Sequence, residues 1–288
     1  MDYAAVVFLE IIYMVAFLVL VSMGLAVVFG MMRVINLAHG EFVMLGGYTT
    51  LACYNAGVNI FFAMLVIAPI VVGILGLIVE RLVVRWLYGR MIDTMLATWG
   101  LSLLFVGLVT LIFGSSAVGI PTPIPGYQMG GYQMGGYNLF IIAITILLVM
   151  LMWLILGYTR VGLVARGAMQ NAEVAASLGY NPGTIYMLTF TAGAALSGLA
   201  GGVLAPLTGL LPSSGGAFIA KAFITVITGG AAVISGVLSS SVMFGAINQL
   251  VSFGINPVLG EIAMLALAIV ILRLMPQGIT GRFFRHST

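Results

Sequence analysis

The stretch RVINLAHGEF, residues 33–42, sets Asn36, His39 and Glu41 within six positions of a 288-residue chain in which only 6% of residues are charged. A carboxamide, an imidazole and a carboxylate so placed have three uses open to them: metal ligation, proton transfer, or contact with a passing polar solute. The first two want partners that the chain does not supply. Its other histidine, His286, sits in the basic tail RFFRHST, Cys53 is the lone cysteine, and no H-E-x-x-H or G-x-x-x-x-G-K-[ST] occurs. Lys221, the sole lysine, stands in GGAFIAKAF without the glycine that a phosphate-cradling loop places before it. No serine lies in a nucleophile motif. The expectation is a chain with no catalytic group, no metal and no cofactor of its own.

On a helix, Asn36 and His39 share a face, as do Gly40, Met44 and Gly47, while Glu41 points elsewhere. Ionisable side chains near a membrane centre cost roughly 2.5 to 3.5 kcal/mol on insertion scales, so their placement needs a reason. Two readings stand: Asn36 caps the helix while Glu41 snorkels to the interface, or Asn36, His39, Gly40 and Glu41 line or gate a passage. A second polar concentration is TRVGLVARGAMQNAEVAASLGYNPGT, residues 159–184. Its EVAASLG predicts a short helix stopped by Gly179, with Asn181-Pro182 beyond. That helix is either an interfacial linker or a docking element with a polar face at Gln170, Asn171 and Glu173.

The elements that position these groups follow from bulk character. The chain is 62% hydrophobic with a mean hydropathy of +1.24, far above a soluble domain. Long apolar stretches with scattered Gly and Pro predict an all-α, polytopic membrane bundle and not a barrel. Nine candidate spans fall at about 5–30, 37–55, 59–80, 94–113, 138–157, 185–207, 217–231, 233–252 and 259–275, or eight to nine within boundary uncertainty, and we read 1–288 as a single transmembrane permease domain. MDYAAVVFLE has no basic region ahead of its apolar run, which predicts a retained first helix. Alternation then puts all nine arginines on one face with only Lys221 opposite, so the N-terminus is expected outside and the C-terminus in the cytoplasm. The net charge of +3, so arranged, points to lipid headgroups and not to nucleic acid.

The external loop, about 114–137, repeats GYQMG in tandem and reads as a flexible surface segment, its tyrosines at the membrane interface or on an external partner. Residues 30–46 and 229–245 match at six of 17 positions, Gly30, Val34, Ile35, Val43, Met44 and Gly46 pairing with Gly229, Val233, Ile234, Val242, Met243 and Gly245. A parallel duplication enclosing a transport path and simple close packing through small residues both explain the echo.

INLAHGEF with its following MLGGY, KAFITVITGG near 221 and RLMPQGITG near 273 resemble, in order and over essentially the whole chain, the LivH-type permeases of ABC importers for branched-chain amino acids, with urea and short-amide (UrtB-like) permeases as near relatives. EVAASLG is similar to that family's coupling loop, here about 159–184, in which an acidic residue, paired alanines and a glycine seat in a groove of the ATPase. Arg166, Gln170, Asn171, Glu173, Ala175, Ala176 and Gly179 are thereby the coupling candidates, although Val174 intrudes between Glu173 and the alanines. The resemblance further implies a second, LivM- or UrtC-like permease subunit, two cytoplasmic ATPases that bind the ATP, an external solute-binding protein, and a multi-pass place in the bacterial cytoplasmic (inner) membrane. DTMLATWGLSL, MQNAEVAASLG and QLVSFGINPVLGEIAM look closer to the urea and amide branch, so urea or a short amide is the first substrate expectation and branched-chain amino acids the alternative. The rival of another class is an ion-gradient-driven transporter or channel, which would need an embedded carboxylate, whereas Glu10, Glu41, Glu80 and Glu261 lie towards the ends of the expected spans.

Overall fold

A backbone in hydrocarbon must satisfy its own hydrogen bonds, which leaves the helix as the default element for apolar runs of this length. The computed structural model, which describes residues 2–129, 131–230 and 232–283, is built that way. Its helices are α1 (Asp2–Met32), α2 (His39–Asn55), α3 (Ile60–Leu82, with a π-helical turn at Ala63–Ile67), α4 (Met91–Phe113), α5 (Gly136–Tyr158), α6 (Arg160–Gln170), α7 (Ala172–Ser177), α8 (Pro182–Thr208), α9 (Gly215–Gly229), α10 (Val233–Gly254), α11 (Pro257–Leu274) and α12 (Gly278–Phe283).

Seven of these, α1, α3, α4, α5, α8, α10 and α11, are long and apolar enough to cross a membrane. The other two expected spans are helical but short. With 17 and 15 residues, α2 and α9 reach about 25 and 22 Å at 1.5 Å per residue, less than the roughly 30 Å of a hydrocarbon core. The solvent of the fold is written on its surface. Leu111, Ile112, Leu82 and Ile92 are all at least 70% exposed, while Thr50, Thr98, Ser197, Ser240 and Ser241 are fully buried. Large side chains facing out and small hydroxyls facing in is the arrangement expected where lipid surrounds helices joined through small residues.

The chain divides into two compact units. One comprises Met23–Pro121 and Met150–Ala220. Within it α2, α3 and α8 form the tightest group, with Phe42, Tyr48, Val72, Phe105, Phe190 and Ala194 in the core. Phe42 meets Phe105 and Phe190 at ring separations of 5.7 and 6.1 Å. Gly201 of α8 lies so close to α2 that an added Cβ would sit 1.7 Å from the Val43 carbonyl oxygen. Below α3, the Tyr88 hydroxyl donates to the buried Glu80 carboxylate, and burial first, then that bond, pushes the Tyr88 phenol well above its ordinary range. Tyr88 therefore stays a donor throughout the physiological range.

The second unit comprises Met1–Ser22, Thr122–Val149 and Lys221–Thr288. Here the tandem repeat is an antiparallel hairpin, β1 (Tyr127–Met129) with β2 (Tyr132–Met134), in the register Tyr127↔Met134 and Met129↔Tyr132. The expectation of a wholly irregular loop is corrected: each YQM copy is a strand, and the Gly-containing junction between them turns the chain. Asn138 donates to Glu10 (3.1 Å), and Lys221 pairs with Glu261 at 2.9 Å over the Phe17 ring. The two glycine-rich marks near 221 and 273 meet, since Thr280 donates to the Gly229 carbonyl at 2.7 Å and an added Cβ on Gly230 (φ +89°) would strike Thr280. Residues 284–288 of the basic tail lie outside the described residues.

Candidate functional site

The break between α1 and α2 is built residue by residue. Arg33 turns out of α1 with φ +52°, in the left-handed region uncommon for a residue with a Cβ. The chain then runs without helix to Ala38, and its backbone donors are met by side chains. Asn36 Oδ1 accepts from Ala38 N–H at 3.0 Å, and Thr98 Oγ1 accepts from Leu37 N–H at 3.0 Å. Asn36 thus bridges the break and does not share a helical face with His39, because the helix starts only at His39. The formal N-cap is Ala38, with no side-chain bond, so Asn36 acts as a local turn brace one step earlier.

His39 and Glu41 are both buried, like Asn36, at 2%, 3% and 3% exposure. They have different partners. His39 Nδ1 lies 3.1 Å from Ser197 Oγ of α8, and that hydroxyl is 2.8 Å from the Gly193 carbonyl. Serine has one hydroxyl proton; if it goes to Gly193, Nδ1–H is the donor in the pair. Nothing here activates a nucleophile, since no acid orients the imidazole. Among the described residues no three His, Cys, Asp or Glu groups approach closely enough to hold a metal.

Glu41 takes a hydrogen bond from Ser102, and its Oε2 has no partner among the described residues. It does not snorkel within this fold. The first turn of α9 faces it: an added Cβ on Gly215 would lie 2.7 Å from Glu41 Oε1, and one on Gly40 would lie 1.9 Å from the Gly215 carbonyl oxygen. The N-terminal ends of the two short helices therefore meet at Gly40 and Gly215 with a buried carboxyl between them. Helix N-termini favour negative charge, which rationalises a carboxyl with so few hydrogen bonds.

The segment 159–184 is two helices. Thr159 caps α6, accepting from Gly162 N–H at 3.1 Å. Asn171 caps α7, accepting from Glu173 and Val174 N–H at 3.0 and 3.1 Å. Gly179 has φ +88°, and the chain closes there with Gly179 N–H to Ala176 O and Tyr180 N–H to Ala175 O, a glycine-terminated helix end. Arg166, Gln170, Glu173 and Ala176 are exposed, and Ala175 is buried. Asn171 is occupied in capping. Val174 and Leu178, neither singled out as a docking residue, are exposed at 52% and 72% and give α7 an apolar outward ridge.

Sequence reasoning also missed Thr98, Ser102, Ser197 and Gly215. Their partners lie far along the chain, 158 residues for the His39–Ser197 pair, so no local spacing reveals them.

A bundle of seven long apolar helices, with two short ones meeting end to end beside a buried carboxyl, defines a polytopic helical protein of the cytoplasmic membrane, of the permease class. Residues 7–272 match the family described as branched-chain amino acid transport system / permease component, and the chain belongs to it. It is similar to the high-affinity branched-chain amino acid transport system permease protein LivH of Escherichia coli (27% identity, 91% of each chain) and to BraD of Pseudomonas aeruginosa (27%, 91% of each). A probable branched-chain amino acid transport permease protein LivH of Methanocaldococcus jannaschii is 26% identical over 92% of this chain and 88% of its own. These names carry branched-chain amino acids and neither urea nor amides, which favours the second substrate expectation over the first. No solved structure matches the chain.

Proposed function

We propose that the chain forms the translocation path of an ATP-driven importer for branched-chain amino acids, with ATP hydrolysed by separate cytoplasmic subunits and cargo delivered by an external binding protein. The observation that carries this reading is the family match over 7–272 enclosing the buried break at 33–41, where the only concentrated polar groups of the apolar bundle meet two helix ends. Asn36, His39, Gly40 and Glu41 form the gate, and a second permease subunit completes the pore. Closure of the ATPases pushes on α7 through Arg166, Gln170, Glu173, Val174 and Leu178. The cargo is passed without covalent chemistry, so the chain needs orientation and packing but no catalytic group.

The arginines support the orientation. They sit after α1, around the α3–α4 link, at α6 and at the end of α11, which places those ends in the cytoplasm if α2 and α9 both cross. The test is uptake of radiolabelled leucine and urea by vesicles holding the full assembly. ATP-dependent leucine uptake that survives collapse of the ion gradient is the expected result. Urea uptake without leucine uptake restores the first substrate expectation, and uptake that follows the gradient alone removes the ATP-driven reading.

A further inference from the structure

The described part of Met23–Pro121 and Met150–Ala220 holds a cavity of about 610 Å³ that the transport path does not use. Met31 of α1, Leu156 of α5, Arg160 of α6, and Ile185, Leu188 and Ala192 of α8 are among its walls. It lies where α1 and α5 end and α8 begins, on the coupling side and at the depth where hydrocarbon gives way to headgroups. Its volume is within the range of ligand sites. Its walls are almost wholly apolar, which gives water too few partners to fill it. Arg160 is the single charged residue among the lining, no carboxylate lines it, and among the described residues the Arg160 guanidinium forms no salt bridge. An amino acid would leave its ammonium unmet there. An anion with a long apolar body would not. Val161, Leu163 and Leu188, exposed at 67%, 64% and 55%, border the cavity with the kind of surface that faces lipid tails.

We propose that this cavity holds an acyl chain of an anionic phospholipid whose phosphate rests on Arg160. The guanidinium fork suits a phosphate's paired oxygens, and anionic lipids concentrate on the cytoplasmic leaflet, where basic pockets between helices take their headgroups. Gly179, Tyr180 and Asn181 also line the cavity, so its occupant braces the connection between α7 and α8.

The test uses the full assembly, purified and examined by native mass spectrometry with phosphatidylglycerol and phosphatidylcholine of identical chains. The wild type is expected to retain phosphatidylglycerol preferentially. Arg160→Gln loses that preference several-fold, and Ala192→Trp, which fills the cavity, loses both lipids while the assembly stays intact. Leu188→Trp serves if Ala192→Trp does not assemble, and Arg160→Gln decides alone if neither filler does. Wild-type retention in Arg160→Gln overturns the proposal, as does a cysteine at Leu188 that cross-links to another subunit of the assembly and not to lipid. Lipid retention is read without transport, so its failure is distinct from failure of the importer reading.

Discussion

At the scale of single residues, the gate is set by approach distances as much as by polar groups. Gly201 stands under the Val43 carbonyl with no room for a methyl, and overpacking a dense helix contact forces backbone shifts that cost about 1 to 3 kcal/mol or more. Gly201→Val is therefore expected to lower the thermal unfolding temperature of the detergent-purified protein sharply, whereas Gly100→Ala, with nothing within 4 Å, leaves it unchanged. Ser197→Ala removes the hydroxyl facing His39 Nδ1. An unmet buried polar group costs about 1 to 3 kcal/mol, so the same melting measurement is expected to show a loss of that order, and equal stability would remove the pair from the account of the gate. Asn36, His39 and Glu41 were legible in the sequence because polar groups are rare in so apolar a chain. Their partners were not, since Ser197, Thr98 and Gly215 are ordinary residues made special only by the fold that brings them near.

At the scale of elements, the coupling helix depends on its two ends. The sequence showed the stop at Gly179, since a glycine after a short helical run marks a left-handed terminator, and φ of +88° there agrees. Proline holds φ near −65° and cannot adopt that angle, so Gly179→Pro is expected to abolish transport-stimulated ATP hydrolysis while insertion continues. Gly179→Ala, strained by roughly 1 to 2 kcal/mol, is expected to reduce the stimulation only in part. Normal stimulation in Gly179→Pro would take α7 out of the coupling role. Asn171 was read as part of a polar docking face; its side chain instead caps α7 through two backbone donors. A capping asparagine and a surface asparagine look alike until the helix boundary is known. The hairpin at 127–134 escaped for a related reason, because three-residue strands give too short an alternation to separate from a loop.

At the scale of the whole molecule, the membrane character was open to view, because 62% hydrophobic residues admit no other solvent, but the number of crossings was not. Hydropathy marks α2 and α9 as apolar without saying that they are only 17 and 15 residues long, and whether such short helices cross decides which face every later arginine occupies. If both cross, the hairpin and α7 lie on opposite sides of the membrane; if only one does, the parity changes after it. Cys53 is the sole cysteine, so Cys53→Ser gives a background in which one introduced thiol reports its own side. Gln128→Cys, at an exposed hairpin position, and Ser177→Cys, at an exposed position on α7, are the two reporters. A membrane-impermeant maleimide is expected to label Gln128→Cys in intact cells, and Ser177→Cys only in inverted vesicles. Labelling of Ser177→Cys from outside would place α7 away from the cytoplasmic ATPases and end the coupling mechanism. Labelling of both reporters from one side would show that α5 does not cross between them, contrary to its 23 apolar residues.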